Sequence, residues 1–249
     1  MEWFLYLLVV FVGVITGFVN TLAGSGSLLT LPLLIFTGLP ANVANGTNRI
    51  AILLQSIVGV GSFRKKKVFE WNEGVRLTIP ATIGAFLGAV VAVDLNEALM
   101  NRVIGGLLVF MFFVILYKPE KWLVAKSDTG RSKPSLANTI IFLAIGFYGG
   151  FIQAGVGFFL LAGLVMSAGF DLVKANAIKV LIVLAFTVVA LAVFIVSKQV
   201  NYTLGLVLGA GSMLGAWLAT HVAVRHGARF IRWILLVAVL GSAVKLLFF

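Results

Sequence analysis

An all-α polytopic membrane protein of about ten transmembrane segments, arranged as two inverted five-segment repeats, is the fold class this sequence predicts. Three observations predict it. The 249-residue chain is 61% hydrophobic and 11% charged with a mean hydropathy of +1.13, against about 45–50% apolar and about 25% charged in soluble domains. So few polar groups cannot cover a water-soluble body, and disorder requires the opposite composition. Polar and turn residues also cut the chain into apolar stretches, most of them near the ~20 residues that cross about 30 Å of hydrocarbon. Finally, the two halves repeat each other across one polar linker.

The stretches are 3–19, 28–37, 43–63, 75–93 and 98–117, then 136–152, 156–168, 173–197, 202–224 and 230–249. The first starts beside Glu2, with no basic leader and no small-residue cleavage site, so it reads as a retained helix. The second and seventh are too short to span as straight helices, which predicts one short or broken helix per repeat. The linker divides the chain into a first repeat (1–117), a cytoplasmic linker (118–135) and a second repeat (136–249).

The duplication is read residue by residue. At an offset of 131, Gly24 meets Gly155, Gly26 meets Gly157, Gly38 meets Gly169, Ala44 meets Ala175 and Asn45 meets Asn176. After a four-residue deletion the offset is 127, and Gly84, Gly88 and Arg102 meet Gly211, Gly215 and Arg229. Charge orients the halves. Basic residues gather at Arg64, Lys65, Lys66, Lys67 and Arg76, in the linker, and at Arg225, Arg229 and Arg232, whereas Asp94 and Glu97 mark an acidic loop. The positive-inside rule puts the basic regions in the cytoplasm of a prokaryotic cell, with the chain in the inner membrane and both termini outside. Five crossings per half then invert the second repeat, an architecture common in secondary transporters.

Paired glycine-interrupted segments point to a transport site. Here they are Asn20-Thr-Leu-Ala-Gly-Ser-Gly-Ser27 and Gln153-Ala-Gly-Val-Gly157. Glycine lets the backbone leave helical geometry, and helices starting at Ser27 and Gly157 would aim N–H groups and positive dipole ends at an anion. Ser27 is equally readable as an N-cap, and the glycines as close-packing residues. Arg49, after Asn45-Gly-Thr-Asn48, and Lys179, after Asn176, stand inside apolar runs at near-equivalent places. A cation at that depth costs about 2.5–3.5 kcal/mol and marks function by default, the alternative being a side chain that snorkels to the interface.

The eight acidic residues all fall at stretch ends or in loops, which argues against a cation pump or a carboxylate proton relay. There is no cysteine, and the two histidines, His221 and His226, lie close together near a helix end. No metal site, cofactor site or acid–base pair is visible, so the chain does not read as an enzyme. The excess of 19 Lys+Arg over 8 Asp+Glu reads as topology rather than nucleic-acid binding. Gly84-Ala-Phe-Leu-Gly88 and Gly211-Ser-Met-Leu-Gly215 read as helix-packing motifs within one chain.

The stretch Gly17-Phe-Val-Asn-Thr-Leu-Ala-Gly-Ser-Gly-Ser-Leu-Leu-Thr-Leu-Pro32, with Gly38-Leu-Pro and Ala44-Asn-Gly-Thr-Asn48, resembles the sulfite exporter TauE/SafE family of bacterial and archaeal membrane proteins. Gly149-Gly-Phe-Ile-Gln-Ala-Gly-Val-Gly157 and Ala175-Asn-Ala-Ile-Lys179 resemble its C-terminal repeat. The resemblance covers nearly the whole chain and implies export of sulfite, sulfoacetate or related anions. Two departures stand out. The first turn is less continuously glycine than in the family, and Lys179 stands where the first repeat has Asn48.

The expected function is therefore secondary transport of a small anion by alternating access, with the site between the repeats near the midplane. Arg49 and Lys179 would neutralise the anion's charge. Asn20, Ser25, Ser27, Asn45, Thr47, Asn48, Gln153 and Asn176, with the turn glycines Gly24, Gly26, Gly155 and Gly157, would supply neutral donors. An anion channel, a carrier of another organic anion and a purely structural membrane protein are the competing readings. The expected partners are the anion and the bilayer, and the reading is compatible with a coupled proton and with an oligomer.

Overall fold

The computed structural model describes residues 3–69, 71–116 and 135–222. Among them all regular structure is helical, and no strand occurs. The tenth stretch (230–249), most of the linker and the basic group Arg225, His226, Arg229 and Arg232 lie outside the described residues.

Among the described residues, nine helices follow the predicted stretches closely. They are α1 (Trp3–Ala23), α2 (Ser27–Phe36), α3 (Ala41–Lys65), α4 (Trp71–Val93), α5 (Glu97–Leu116), α6 (Leu136–Phe151), α7 (Val156–Ala162), α8 (Leu172–Val196) and α9 (Tyr202–Val222). Asp171 caps α8 by accepting from the N–H groups of Val173 and Lys174, and Ser135 caps α6 by accepting from Ala137. Such caps satisfy donors that a helix start leaves free. α7 runs on as one widened turn, Gly163–Ser167, closed by the Ala168 N–H on the Gly163 carbonyl five residues back. Four described helices, α1, α4, α8 and α9, are long and apolar enough to cross a membrane, while α2, α6 and the α7 segment are shorter.

The molecule is apolar outside and carries a group of buried polar side chains within an apolar interior. Phe4, Phe11, Ile79, Ile83, Phe110, Ile140, Leu206 and Leu214 are exposed, whereas Asn45, Thr47, Asn48, Arg49, Gln153, Asn176 and Lys179 are buried. In water such a surface would aggregate; against lipid chains it is the solvated state. Residues 44–52 of α3 and 175–180 of α8 are buried on every face, so these two helices form the centre. They run antiparallel: Gly46 packs on Phe194 at one end and Gly59 on Val180 at the other.

Around this pair the halves interlock. A Cβ at Gly84 or Gly88 on α4 would collide with the Leu143 or Phe147 carbonyl of α6, and one at Gly211 or Gly215 on α9 with the Val10 or Val14 carbonyl of α1. Both G-x-x-x-G motifs therefore hold the fourth helix of one half to the first helix of the other, by the close backbone approach that small residues permit.

The left-handed backbone carries the same duplication. Positive φ is found in the described residues at Gly24 and Gly155, Gly38 and Gly169, and Lys67 and Lys198, each pair 131 residues apart. The lysines follow the ends of α3 and α8, where a left-handed residue closes the last turn and glycine is usual. Lys198→Gly is accordingly expected to raise the thermal midpoint in detergent by about 2–4 °C, from relief of ~1 kcal/mol of strain. Gly38→Ala, where a Cβ meets open space, is expected to lower it by a similar amount. Differential scanning fluorimetry checks both.

Candidate functional site

The two glycine turns meet at the centre. Gly24 and Gly157 lie back to back, so that a Cβ on either would overlap the other's Cα. Gly24 and Gly155 have left-handed φ of +76° and +72°, a conformation glycine adopts without penalty. Gly26 packs instead on the Thr16 carbonyl of α1 and the Cβ of Asn20. Gly26 stands at the start of α2 without a side-chain cap, and Ser27 is the first helical residue. The Ser27 hydroxyl has no partner, so it is not an N-cap. α7 starts at Val156, one residue before the expected Gly157.

Both central cations are buried, at 0% and 1% exposure for Arg49 and Lys179, so neither snorkels. Each holds the end of the other half's first helix. Arg49 donates to the Gly149 and Gly150 carbonyls at 3.2 and 2.5 Å, and Lys179 to the Asn20 and Thr21 carbonyls at 3.1 and 2.7 Å. The last carbonyls of a helix lack intrahelical donors and carry the negative end of its dipole, which is where a cation belongs. The Asn45 amide continues the pattern by donating to the Phe151 carbonyl at 2.9 Å, and the Arg49 guanidinium lies 4.5 Å from the centre of the Phe194 ring.

Lys179 lines the small cavity described below, and Arg49 is not among the described residues lining it. With Gly59 facing Val180, Lys179 stands level with Val60, eleven residues along α3 from Arg49, about 16 Å at the helical rise. Antiparallel packing brings residues related by the 131 offset level only near Leu54 and Ala185, and moves all others to opposite sides of that point.

A small cavity adjoins this crossing. Asn20, Gly24, Gln153, Gly157 and Lys179 line it, together with Thr21, Gln55 and Ser56 and the apolar Ile52, Val156, Val180 and Val183. Its free space is about 10 Å³, room for roughly one water and too little for an oxyanion. Lys179 has used two of its three donors on carbonyls. Gln153 donates to the Thr187 hydroxyl at 2.7 Å and leaves its Oε1 unpartnered.

Polar atoms without a hydrogen-bond partner concentrate on the expected residues. They include the Ser25 and Ser27 hydroxyls, Asn45 Oδ1, Asn48 Nδ2, Arg49 Nε and both amide atoms of Asn176. Each such buried group costs about 1–3 kcal/mol. Asn48 Oδ1 accepts from Thr30 at 2.7 Å, and Thr47 Oγ1 accepts from the Asn201 N–H at 2.9 Å, so Thr47 serves the start of α9. Gln55, Ser56 and Thr187 were not among the expected residues. Ser56 and Thr187 are 131 apart, two hydroxyls in apolar helices at the duplication offset, and that was the available signal. No cluster of metal-ligating side chains occurs among the described residues.

A family model described as sulfite exporter TauE/SafE matches residues 9–246. The chain is 29% identical to a probable membrane transporter protein, ORF9, of Sinorhizobium sp., over 94% of this chain and 88% of that one. It is 28% identical to the probable membrane transporter protein YfcA of Escherichia coli over 96% and 88%, and 27% identical to a probable membrane transporter protein of Haemophilus influenzae over 89% and 86%. No solved structure matches it.

Proposed function

The chain belongs to the sulfite exporter TauE/SafE family of membrane transporters, and from that premise we propose that it exports a small oxyanion, sulfite or an organosulfonate such as sulfoacetate, by alternating access. The substrate enters the cavity at the α3–α8 crossing. Lys179 supplies charge there, and Asn20, Gln55, Ser56 and Gln153 supply neutral hydrogen bonds. The observation that carries the reading is a buried lysine in a cavity whose largely apolar wall also presents Asn20, Gln55, Ser56 and Gln153, with no acidic side chain among the described lining residues. A cation without a carboxylate partner, surrounded by amides and hydroxyls, selects for negative charge.

The paired left-handed residues, the reciprocal glycine contacts and the antiparallel central helices support two inverted repeats, 1–117 and 136–249. Basic ends such as Arg64 and Lys65 support a cytoplasmic placement of the α3 C-terminus. Lys179 then lies on the cytoplasmic side of the crossing. The ~10 Å³ cavity corresponds to a closed state, and one half rocking against the other opens it. An inside-negative potential favours anion exit by about 2.3 kcal/mol per charge per 100 mV.

Calorimetric titration of the purified protein with sulfite, sulfoacetate and chloride tests the reading. Saturable binding of a sulfur oxyanion with chloride inert is the expected result. Equal response to all three, or to none, removes sulfur oxyanions as the substrate class.

A further inference from the structure

We propose that Arg49 is the centre of a second anion station, distinct from the Lys179 cavity and on the opposite side of the α3–α8 crossing. The inference rests on the transport reading above, and adds that the substrate passes two successive sites. The first observation is spacing: the α3–α8 register sets the backbone levels of Arg49 and Lys179 about 16 Å apart along the helix axis, and their side chains bind the ends of different helices. The second is reciprocity. Each cation binds two successive carbonyls at the end of the other half's first helix, so the two surroundings are versions of one motif.

The third observation is spare donor capacity. The guanidinium has five N–H donors and spends two on these carbonyls. Arg49 keeps its Nε–H unpartnered at 0% exposure, and Asn48 beside it keeps an unpartnered Nδ2. These are buried donors with no protein acceptor, on the stretch of α3 that is enclosed on every face. An oxyanion is the ligand that accepts from both a guanidinium and an amide, and guanidinium geometry suits two oxygens at once. In the order set by the basic end of α3, an exported anion meets Lys179 first and Arg49 second.

Stoichiometry decides it. Wild-type protein, Arg49→Gln, Lys179→Gln and the double variant are titrated with sulfite by calorimetry, with folding verified by size-exclusion profile and thermal midpoint. The stations predict up to two anions per chain in wild type, one in each single variant and none in the double. One anion in wild type that either substitution abolishes would mean a single shared site and would overturn the proposal while leaving the transport reading intact. Unchanged stoichiometry in Arg49→Gln with a lowered midpoint would make Arg49 a helix clamp only, and also overturn it. No binding by the wild type would defeat the transport reading itself. Should Arg49→Gln fail to fold, Asn48→Asp is substituted. It puts a negative charge beside Arg49 while leaving Lys179 untouched, and is expected to remove one of two anions; loss of neither or of both overturns the proposal.

Discussion

Lys179→Gln is expected to abolish sulfite transport. The ammonium is the charged group lining the cavity at the crossing, and a hydrogen bond to a charged group contributes about 1.5–3 kcal/mol. Affinity should fall by about ten- to a hundredfold on that term alone. Gln presents two donors without charge, so the Asn20 and Thr21 carbonyls retain partial satisfaction and α1 keeps its course. Transport should therefore fall much further than the thermal midpoint. Lys198→Gln, which removes a cation after the end of α8 and outside the cavity, is the matched control and should transport normally. Flux into vesicles of equal protein content measures both.

Gly24→Ala should have the largest effect on folding. The new Cβ would lie on the Gly157 Cα and carbonyl carbon and close to the Phe158 nitrogen, all backbone atoms that cannot rotate away. Left-handed strain of about 1–2 kcal/mol adds to an overpacking cost of about 1–3. A fall of about 5 °C or more in thermal midpoint, or loss of extractable protein, is expected. Gly105→Ala on α5, where a Cβ meets nothing, should leave the midpoint near that of the wild type. The contrast between these two substitutions assigns the cost to the meeting of the two turns and not to glycine content in general.

Much of this fold is legible in the sequence because hydropathy and length fix where helices lie in a membrane. The glycine turns were legible because left-handed backbone demands glycine at Gly24 and Gly155, and the same demand falls at the same place in each half. Burial of Arg49 and Lys179 followed from their position inside apolar runs. Their separation did not. A sequence offset marks Lys179 as nearly equivalent to Arg49, but the antiparallel packing of α3 on α8 carries residues so related to opposite sides of the crossing, and only the register of the two helices shows how far. The carbonyl partners were hidden for a related reason. They come from the other half of the chain, about a hundred residues or more away for both cations, and no local pattern encodes which helix end a cation will meet.

Lys67 and Lys198 adopt left-handed backbone with no glycine to ease it. They are identical residues at the 131 offset, and their shared positive φ is the least expected trace of the duplication, since lysine gains nothing there. Nothing in the structure explains why neither became glycine.

Carriage of a sulfur oxyanion through the α3–α8 crossing is tested by flux in proteoliposomes. Efflux of radiolabelled sulfite would be followed with and without unlabelled sulfite on the far side, for wild type and Lys179→Gln. Saturable efflux that trans substrate accelerates is expected, with its loss in Lys179→Gln while the folded protein is still present. Efflux that rises without saturation and ignores trans substrate, or that persists undiminished in Lys179→Gln, would contradict a carrier working through this site.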